Sequence, residues 1–397
     1  MKLKKPGLLP LILIAIIAGI GAGFIFPDWL TRIFVTFNAL FSQFLGFIIP
    51  LLILALVAPA IAEIGKGAGR MLLATALLAY VFTVCSGLLS YATGSAIFPS
   101  LVTPGNLDAV ESASEVSLTP YITIPMPPLM DVTSSLILAF ILGLGASVLQ
   151  GDTMRLWLYD LRSIIMMVIK NVIIPLLPLY IFGIFLAMTV SGQVAPILAT
   201  FARIILVIFV LHIALLVLQY CVAAIFSRNS RNPFRLLWTM LPAYFTALGT
   251  QSSAATIPVT LKSSIRTGVN QEVAGFVIPL CATIHLSGST LKIVACAMTL
   301  MIMKDMPIDF PTMLSFIAML AVTMVAAPGV PGGAIMAALG VLSSILGFSD
   351  ADNALMIALY IAMDSFGTAC NVTGDGAIVI IIDRFFGKKK LVNQTTE

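Results

Sequence analysis

Apolar stretches of membrane-spanning length alternate along the chain with short polar interruptions. They run at about 8–26, 43–63, 71–98, 132–150, 162–190 and 194–226. After position 226 the pattern changes. The stretch 236–263 is broken by Gly249-Thr-Gln-Ser-Ser-Ala-Ala-Thr-Ile-Pro258, and a long helix is predicted at 271–303. The plan then recurs: 312–346 is broken by Ala326-Ala-Pro-Gly-Val-Pro-Gly-Gly333, and another helix is predicted at 351–383. Each arm of the broken stretches has about 12–15 residues, too few to cross a ~30 Å hydrocarbon core. They read as re-entrant helical hairpins whose Ser, Gly and Pro tips lie at membrane depth. Irregular backbone at that depth must be buried in protein or line a wet cavity. Two such segments in corresponding positions point to the binding site of an inverted-repeat transporter.

Composition sharpens this picture. Of 397 residues, 60% are hydrophobic and 10% charged, against about 25% charged in a soluble domain. A mean hydropathy of +1.09 excludes a disordered or fibrous chain and leaves material for about eight crossings. The formal net charge of +4 comes from clusters near span ends, so it bears on orientation and does not suggest a nucleic-acid partner. Lys2, Lys4 and Lys5, Lys388 to Lys390, Lys66 with Arg70, and Arg228, Arg231 and Arg235 all border spans. The 99–131 loop carries Asp108, Glu111, Glu115 and Asp131 and no Lys or Arg. The positive-inside rule places both termini in the cytoplasm and this loop outside, which requires an even number of crossings. Leu8 to Phe26 has no small-residue cleavage site, so it reads as a first membrane helix and not as a signal peptide. The cysteines, Cys85, Cys221, Cys281, Cys296 and Cys370, lack metal-site spacing and read as apolar packing residues.

Polar groups gather in the last third, where they are costly. One stretch is Ala282-Thr-Ile-His-Leu-Ser-Gly-Ser-Thr-Leu-Lys292, the other Met363-Asp-Ser-Phe-Gly-Thr-Ala-Cys-Asn-Val-Thr-Gly-Asp375. Helical spacing aligns Asp364, Thr368 and Asn371 on one stripe with Asp375 a turn further, and His285, Ser289 and Lys292 on another. An intramembrane charge costs at least about 2.5–3.5 kcal/mol, so such residues face partners, water or substrate. His212 reads as an interhelical hydrogen-bonding residue.

The tip Thr250-Gln-Ser-Ser-Ala-Ala-Thr-Ile-Pro258, the tip Gly329-Val-Pro-Gly332 and Asn371-Val-Thr-Gly-Asp375 together resemble the glutamate transporter family, the dicarboxylate/amino acid:cation symporters. The resemblance covers nearly the whole chain in topology and about residues 236–385 in motif. It implies an all-α polytopic fold of eight transmembrane helices plus two re-entrant hairpins with inverted repeats, working as an elevator-type homotrimer. It implies scaffold helices at 1–70, a transport-domain third helix at 71–98, and within 99–226 an extracellular loop, scaffold helices four and five and transport-domain helix six. A transport-domain core would occupy 227–397. In that scheme Asp364 meets a substrate amine and Asn371 its α-carboxylate, with Thr368 and Ser289 completing the pocket. Ser252, Ser253 and their backbone N–H groups meet the carboxylate at one tip, and Val330 and Gly332 close the other as a gate.

The chain departs from the family at informative places. Where acidic-substrate members carry an arginine three residues after the amine-binding aspartate, Gly367 stands here. The usual Asn-Met-Asp-Gly-Thr is His285-Leu-Ser-Gly-Ser289, which replaces sodium ligands with an imidazole, a leucine and the Ser287 hydroxyl. The third-helix hydroxyls of one sodium site are not found in the apolar Ala76-Leu-Leu-Ala79. Asn371 and Asp375 remain as a Na⁺ site. His285, Ser287, Lys292, Asn371 and Asp375 are thus the ion-coupling candidates, either through a Lys292–Asp375 ion pair standing in for a cation or through a proton on His285.

The expectation is a transporter and not an enzyme, needing no cofactor beyond Na⁺ or H⁺ as coupling ion. It carries small neutral amino acids (Ser-, Thr- or Ala-like) across the inner (plasma) membrane, with the bilayer and two further copies as its partners and with sodium coupling reduced or absent. Arginine at Gly367 is expected to shift preference to acidic substrates, provided the side chain is housed. Alternatives are a sodium-coupled carrier of acidic amino acids or dicarboxylates, for which Lys292 is a distant substitute for the missing arginine, and an anion-conducting channel. An intramembrane hydrolase using Ser287 or Ser289 with His285 finds little support, because HExxH and GxSxG are absent from the sequence.

Overall fold

The structure, a computed structural model, describes residues 8–65, 69–104, 118–192, 194–325, 327 and 332–387. Regular structure among these is helical: α1 (Leu8–Gly23), α2 (Asp28–Gly65), α3 (Arg70–Leu101), α4 (Val132–Val148), α5 (Thr153–Val168), α6 (Ile174–Val190) and α7 (Val194–Phe226). A π-helical turn, Ile169–Ile173, joins α5 to α6. Then follow α8 (Pro233–Thr250), α9 (Ser253–Arg266), α10 (Gln271–Ile284), α11 (Ser287–Met303), α12 (Phe310–Val325), α13 (Gly333–Leu346), α14 (Asp350–Ala362) and α15 (Asp364–Phe386).

Among the described residues, six stretches are long and apolar enough to cross a membrane: Asp28–Ala62, Arg70–Leu101, Thr153–Val190, Ile197–Phe226, Gln271–Met303 and Asp364–Phe386. The helices Leu8–Gly23, Phe310–Val325 and Gly333–Leu346 are shorter. Both broken stretches resolve into helix pairs, α8 with α9 and α12 with α13, each packed against its mate. The chain is thus built as an integral membrane protein. Lys2, Lys4, Lys5, Lys66, Asp108, Glu111, Glu115, Val330 and Lys388 to Lys390 lie outside the described residues.

Two kinds of boundary differ from the hydropathy reading. The second span begins at Asp28, well before 43, and the fifth at Thr153 instead of 162. Thr31, Arg32, Thr36, Asn38, Ser42 and Gln43 dilute hydropathy along the first half of α2 without interrupting its helix. The predicted continuous helices 271–303 and 351–383 are both broken, at His285–Leu286 and at Met363. His285 is extended (φ −107°, ψ 103°), so it shares no helical stripe with Ser289 and Lys292.

How the helices start shows where these breaks lie. At α4, α8, α10 and α14 the N-cap side chain, Asp131, Asn232, Asn270 or Ser349, accepts from backbone N–H groups of its own first turn. By contrast, α11, α13 and α15 follow Leu286, Gly332 and Met363, which offer no side-chain cap. Their first-turn N–H groups are orphan donors inside the protein, and other elements must satisfy them.

Helices α1, α2, α4, α5 and α6 pack mainly among themselves. Helix α15 packs against α3, α7, α8, α9, α10 and α11. The 271–303 and 364–386 spans are each 94% buried along their most apolar window, against 33% for α3. The two most polar spans are therefore the innermost.

Candidate functional site

Lys292, on α11, is fully buried. Its ammonium finds three acceptors for its three N–H groups: Asp364 Oδ1 at 3.2 Å, Met363 O at 3.3 Å and Tyr360 O at 3.4 Å. It also sits 3.4 Å from the centroid of the Tyr360 ring. The two carbonyls belong to the last turn of α14 and the break after it; Tyr360 O also accepts from Met363 N, and Met363 O from Phe366 N and Gly367 N, so the ammonium shares both acceptors with backbone N–H groups.

Asp364 divides its oxygens between two partners. Oδ1 faces Lys292 and Oδ2 accepts 2.8 Å from the backbone N–H of Gly332. Gly332 lies in the left-handed region (φ 74°), the turn that starts α13, and a glycine takes it without strain. The carboxylate thus lies at the N-termini of both α13 and its own α15. The first hairpin reaches the same end of α15, since Gln251 Nε2 donates to Ser365 Oγ at 2.9 Å. Ser252 caps α9 by accepting from Ala255 N, and Ser253 is buried in its first turn.

Two turns along α15, Asn371 supplies the cap that α11 lacks. Its Oδ1 accepts from Gly288 N (2.8 Å) and Ser289 N (3.2 Å), while Nδ2 donates to Ser289 Oγ at 3.0 Å. Ser289 Oγ in turn meets Tyr360 Oη at 2.9 Å. Tyr360 therefore links the Asn371–Ser289 pair to Lys292 and Asp364. Thr368 is buried on the same helix between them.

A second cluster lies deeper. His285 Nδ1 is 2.9 Å from Asp375 Oδ1, both groups being buried. Gln219 of α7 donates to Ser287 Oγ at 3.1 Å. His285 Nε2 and Gln219 Oε1 have no hydrogen-bond partner among the described residues. Both crowd Gly374, where a Cβ would stand 2.6 Å from Oε1 and 2.7 Å from His285 Cε1. His212 also serves the α11 start, with Nε2 2.9 Å from Gly288 O.

Several expectations change here. Lys292 pairs with Asp364 and not with Asp375, whose Oδ1 faces His285. Nor is Lys292 distant from the arginine position: a Cβ on Gly367 would stand 2.8 Å from its Nζ and 2.9 Å from its Cε. A side chain at 367 is therefore not housed while Lys292 holds this place. Hydroxyls of α3 do approach the core, through Thr83, Ser86 and Ser90 and not through 76–79. Each donates to a backbone carbonyl, Ser90 to Leu291 O at 2.8 Å. Asn371 Oδ1 already accepts two N–H groups and Asp375 Oδ1 faces an imidazole, so this donor set does not fit a Na⁺ site. Among the described residues no group of three or more His, Cys, Asp or Glu side chains is placed to hold a metal.

Gln219 and Tyr360 were missed as working parts, and Gly332, expected as part of a gate, meets Asp364 through its backbone N–H. Gln219 lies two turns after His212 in an apolar span, a signal present in the sequence. The Tyr360 and Gly332 contacts depend on how chain breaks meet in space.

The profile of the sodium:dicarboxylate symporter family matches residues 8–385. The chain is 29% identical over 390 residues to a serine/threonine transporter, SstT, of Acinetobacter baumannii (strain AYE), covering 94% of this chain and 95% of the relative. The protein of that name from Acinetobacter baylyi (strain ATCC 33305 / BD413 / ADP1) is 27% identical over 404 residues, covering 96% and 98%.

Proposed function

The chain belongs to the sodium:dicarboxylate symporter family, and on that premise we propose that it carries small neutral amino acids of the serine, threonine or alanine kind across the bacterial inner membrane. Membership makes it a membrane transporter and not an enzyme. In the proposed mechanism a transport core, α3 with α7 to α15, moves as an elevator against scaffold helices α1, α2 and α4 to α6 within a homotrimer, both termini facing the cytoplasm. The two hairpins enclose the passenger.

The observation that carries the substrate reading is the packing of Lys292 against Gly367. An arginine fork would recognise a second carboxylate, but its place is filled by an ammonium whose three N–H groups already have acceptors. What remains suits a zwitterion. Asp364 attracts the amine, and the N-terminal N–H groups of α9, with Ser252 and Ser253, attract the carboxylate. The serine/threonine transporters among its relatives support the same substrate class.

For coupling, the reading is a proton on the His285–Asp375 pair with sodium dependence reduced or absent. The carboxamide of Asn371 caps a helix, and Asp375 already has an imidazole partner. Uptake of radiolabelled serine, threonine, alanine, aspartate and succinate into proteoliposomes, with sodium and pH gradients imposed separately, tests the whole reading. Uptake of the three neutral amino acids under an inward proton gradient is expected. Succinate competing as well as serine would sink it.

A further inference from the structure

We propose that Lys292 is a tethered cation, a permanent counter-charge for Asp364 that lets the second hairpin close and the transport core return without a passenger. The inference rests on the reading of Asp364 as the amine-binding residue. It goes beyond that reading in assigning the carrier a way to cycle unloaded.

The argument starts from the two oxygens of Asp364. Oδ1 belongs to Lys292, whose stem rises from α11, an element separate from the hairpin. Oδ2 belongs to the Gly332 N–H at the hairpin tip. Moving the tip away breaks the second contact and leaves the first intact. Oδ2 is then the oxygen open to an incoming ammonium, and the tip N–H and the passenger are alternative occupants of one position.

Charge arithmetic gives this arrangement its consequence. Asp364 and Lys292 sum to zero, and a zwitterion adds zero, so this part of the core is neutral both loaded and unloaded. Without Lys292 the core would carry one negative charge loaded or unloaded, but only the unloaded core would leave the Asp364 carboxylate facing one backbone N–H with no ammonium beside it. Moving that through a membrane is expensive, and the carrier would return only with a passenger, as an exchanger. Gly367 is the second half of the device, because its missing Cβ is the space that Nζ and Cε occupy.

The test compares net flux with exchange in proteoliposomes holding purified full-length protein and radiolabelled L-serine. Net efflux is measured into amino-acid-free buffer, and exchange against external L-serine. In the unmodified protein both proceed. Lys292→Met is expected to lower the ratio of net efflux to exchange by at least about tenfold, since stranding the carboxylate on the unloaded leg alone exceeds the energy of one decade. Gly367→Ala, whose methyl group intrudes on Nζ, is expected to shift the ratio the same way by less. It carries the test alone if Lys292→Met does not fold. A ratio unchanged in the folded variants, whatever happens to total activity, assigns Lys292 a structural role and overturns the proposal. If the unmodified protein exchanges none of L-serine, L-threonine and L-alanine, the amino-acid reading itself falls, and the inference with it.

Discussion

The Nζ of Lys292 lies 2.8 Å from the point where a Cβ on Gly367 would stand. The glycine and the lysine are thus one solution to a packing problem, because a Cβ at 367 requires the far end of the Lys292 side chain to shift. The lysine head reaches Asp364 only across the backbone of α15 at 367. Any side chain there competes with it.

This fixes the outcome of an otherwise attractive substitution. Gly367→Arg introduces the fork that suits a second carboxylate, yet its stem must displace a buried ammonium held by three acceptors. We expect the variant to lose serine binding without gaining aspartate, as read by titration calorimetry on purified protein. The double change Gly367→Arg with Lys292→Ala clears the space, and aspartate binding is expected only there. Aspartate uptake by the single variant would show that Lys292 yields its place.

Breaking the pair from the other side has a different signature. Asp364→Asn leaves the Lys292 charge without a counter-charge in a dry site, at a cost of about 3–5 kcal/mol. Its melting temperature in detergent should fall clearly, and serine binding should vanish. Adding Lys292→Met removes the stranded charge, so the double variant should recover most of that stability while remaining unable to bind. Equal losses that simply add would mean the two groups do not interact.

Asn371 offers a cleaner measure of capping between helices. Asn371→Ala leaves the Gly288 and Ser289 N–H groups without their acceptor inside the core, a loss of about 1–3 kcal/mol for each unsatisfied group. Asn371→Asp retains an acceptor of comparable capping strength at a helix N-terminus. The alanine variant should unfold at a markedly lower temperature than the aspartate one. The reverse order would remove the capping role.

How much of this was legible in the sequence follows from what each feature depends on. The hairpins announced themselves because Gly249 to Pro258 and Ala326 to Gly333 interrupt apolar runs, a local property. Asp364, Asn371 and Asp375 stood out because polar groups at membrane depth are costly. The breaks at His285 and Met363 did not, since neither carries a Gly–Pro signal. At the first break Asn371 of α15 caps the α11 N–H groups, and at the second Lys292 of α11 donates to carbonyls that also accept backbone N–H groups. The Lys292 partner was misassigned for the same reason: helical spacing ranks residues along one helix and says nothing about which turn of the next helix lies opposite. Once α11 starts at Ser287, Lys292 falls beside Asp364, and His285 is left to face Asp375.

That last pairing sets the final prediction, on coupling. His285 and Asp375 meet at 2.9 Å, both essentially inaccessible to solvent. With a proton shared between them beyond the neutral imidazole, the pair carries no net charge; without it, the core holds a carboxylate opposed only by a neutral ring. Moving the uncharged form through a membrane is favoured, so passage of the loaded core should take one proton along. The surroundings suit this. A doubly protonated ring needs a second acceptor at Nε2, and Gln219 Oε1, itself without a partner among the described residues, crowds the same face of Gly374. The neighbouring Phe82 ring stands edge-on to the imidazole at 6.2 Å and offers no charge of its own. Serine uptake should therefore rise as the outer solution is made acidic relative to the lumen. In His285→Asn, which cannot take up the proton, uptake should lose that response while exchange at equal pH persists at a reduced rate. Gln219→Leu should weaken the response without abolishing it, because Asp375 still faces the ring. Replacing sodium with choline on both sides should change uptake little. A steep, cooperative dependence of serine binding on sodium in purified protein would overturn the assignment, because two or more sodium ions would then be held by ligands other than the side chains of Asn371 and Asp375 as placed here.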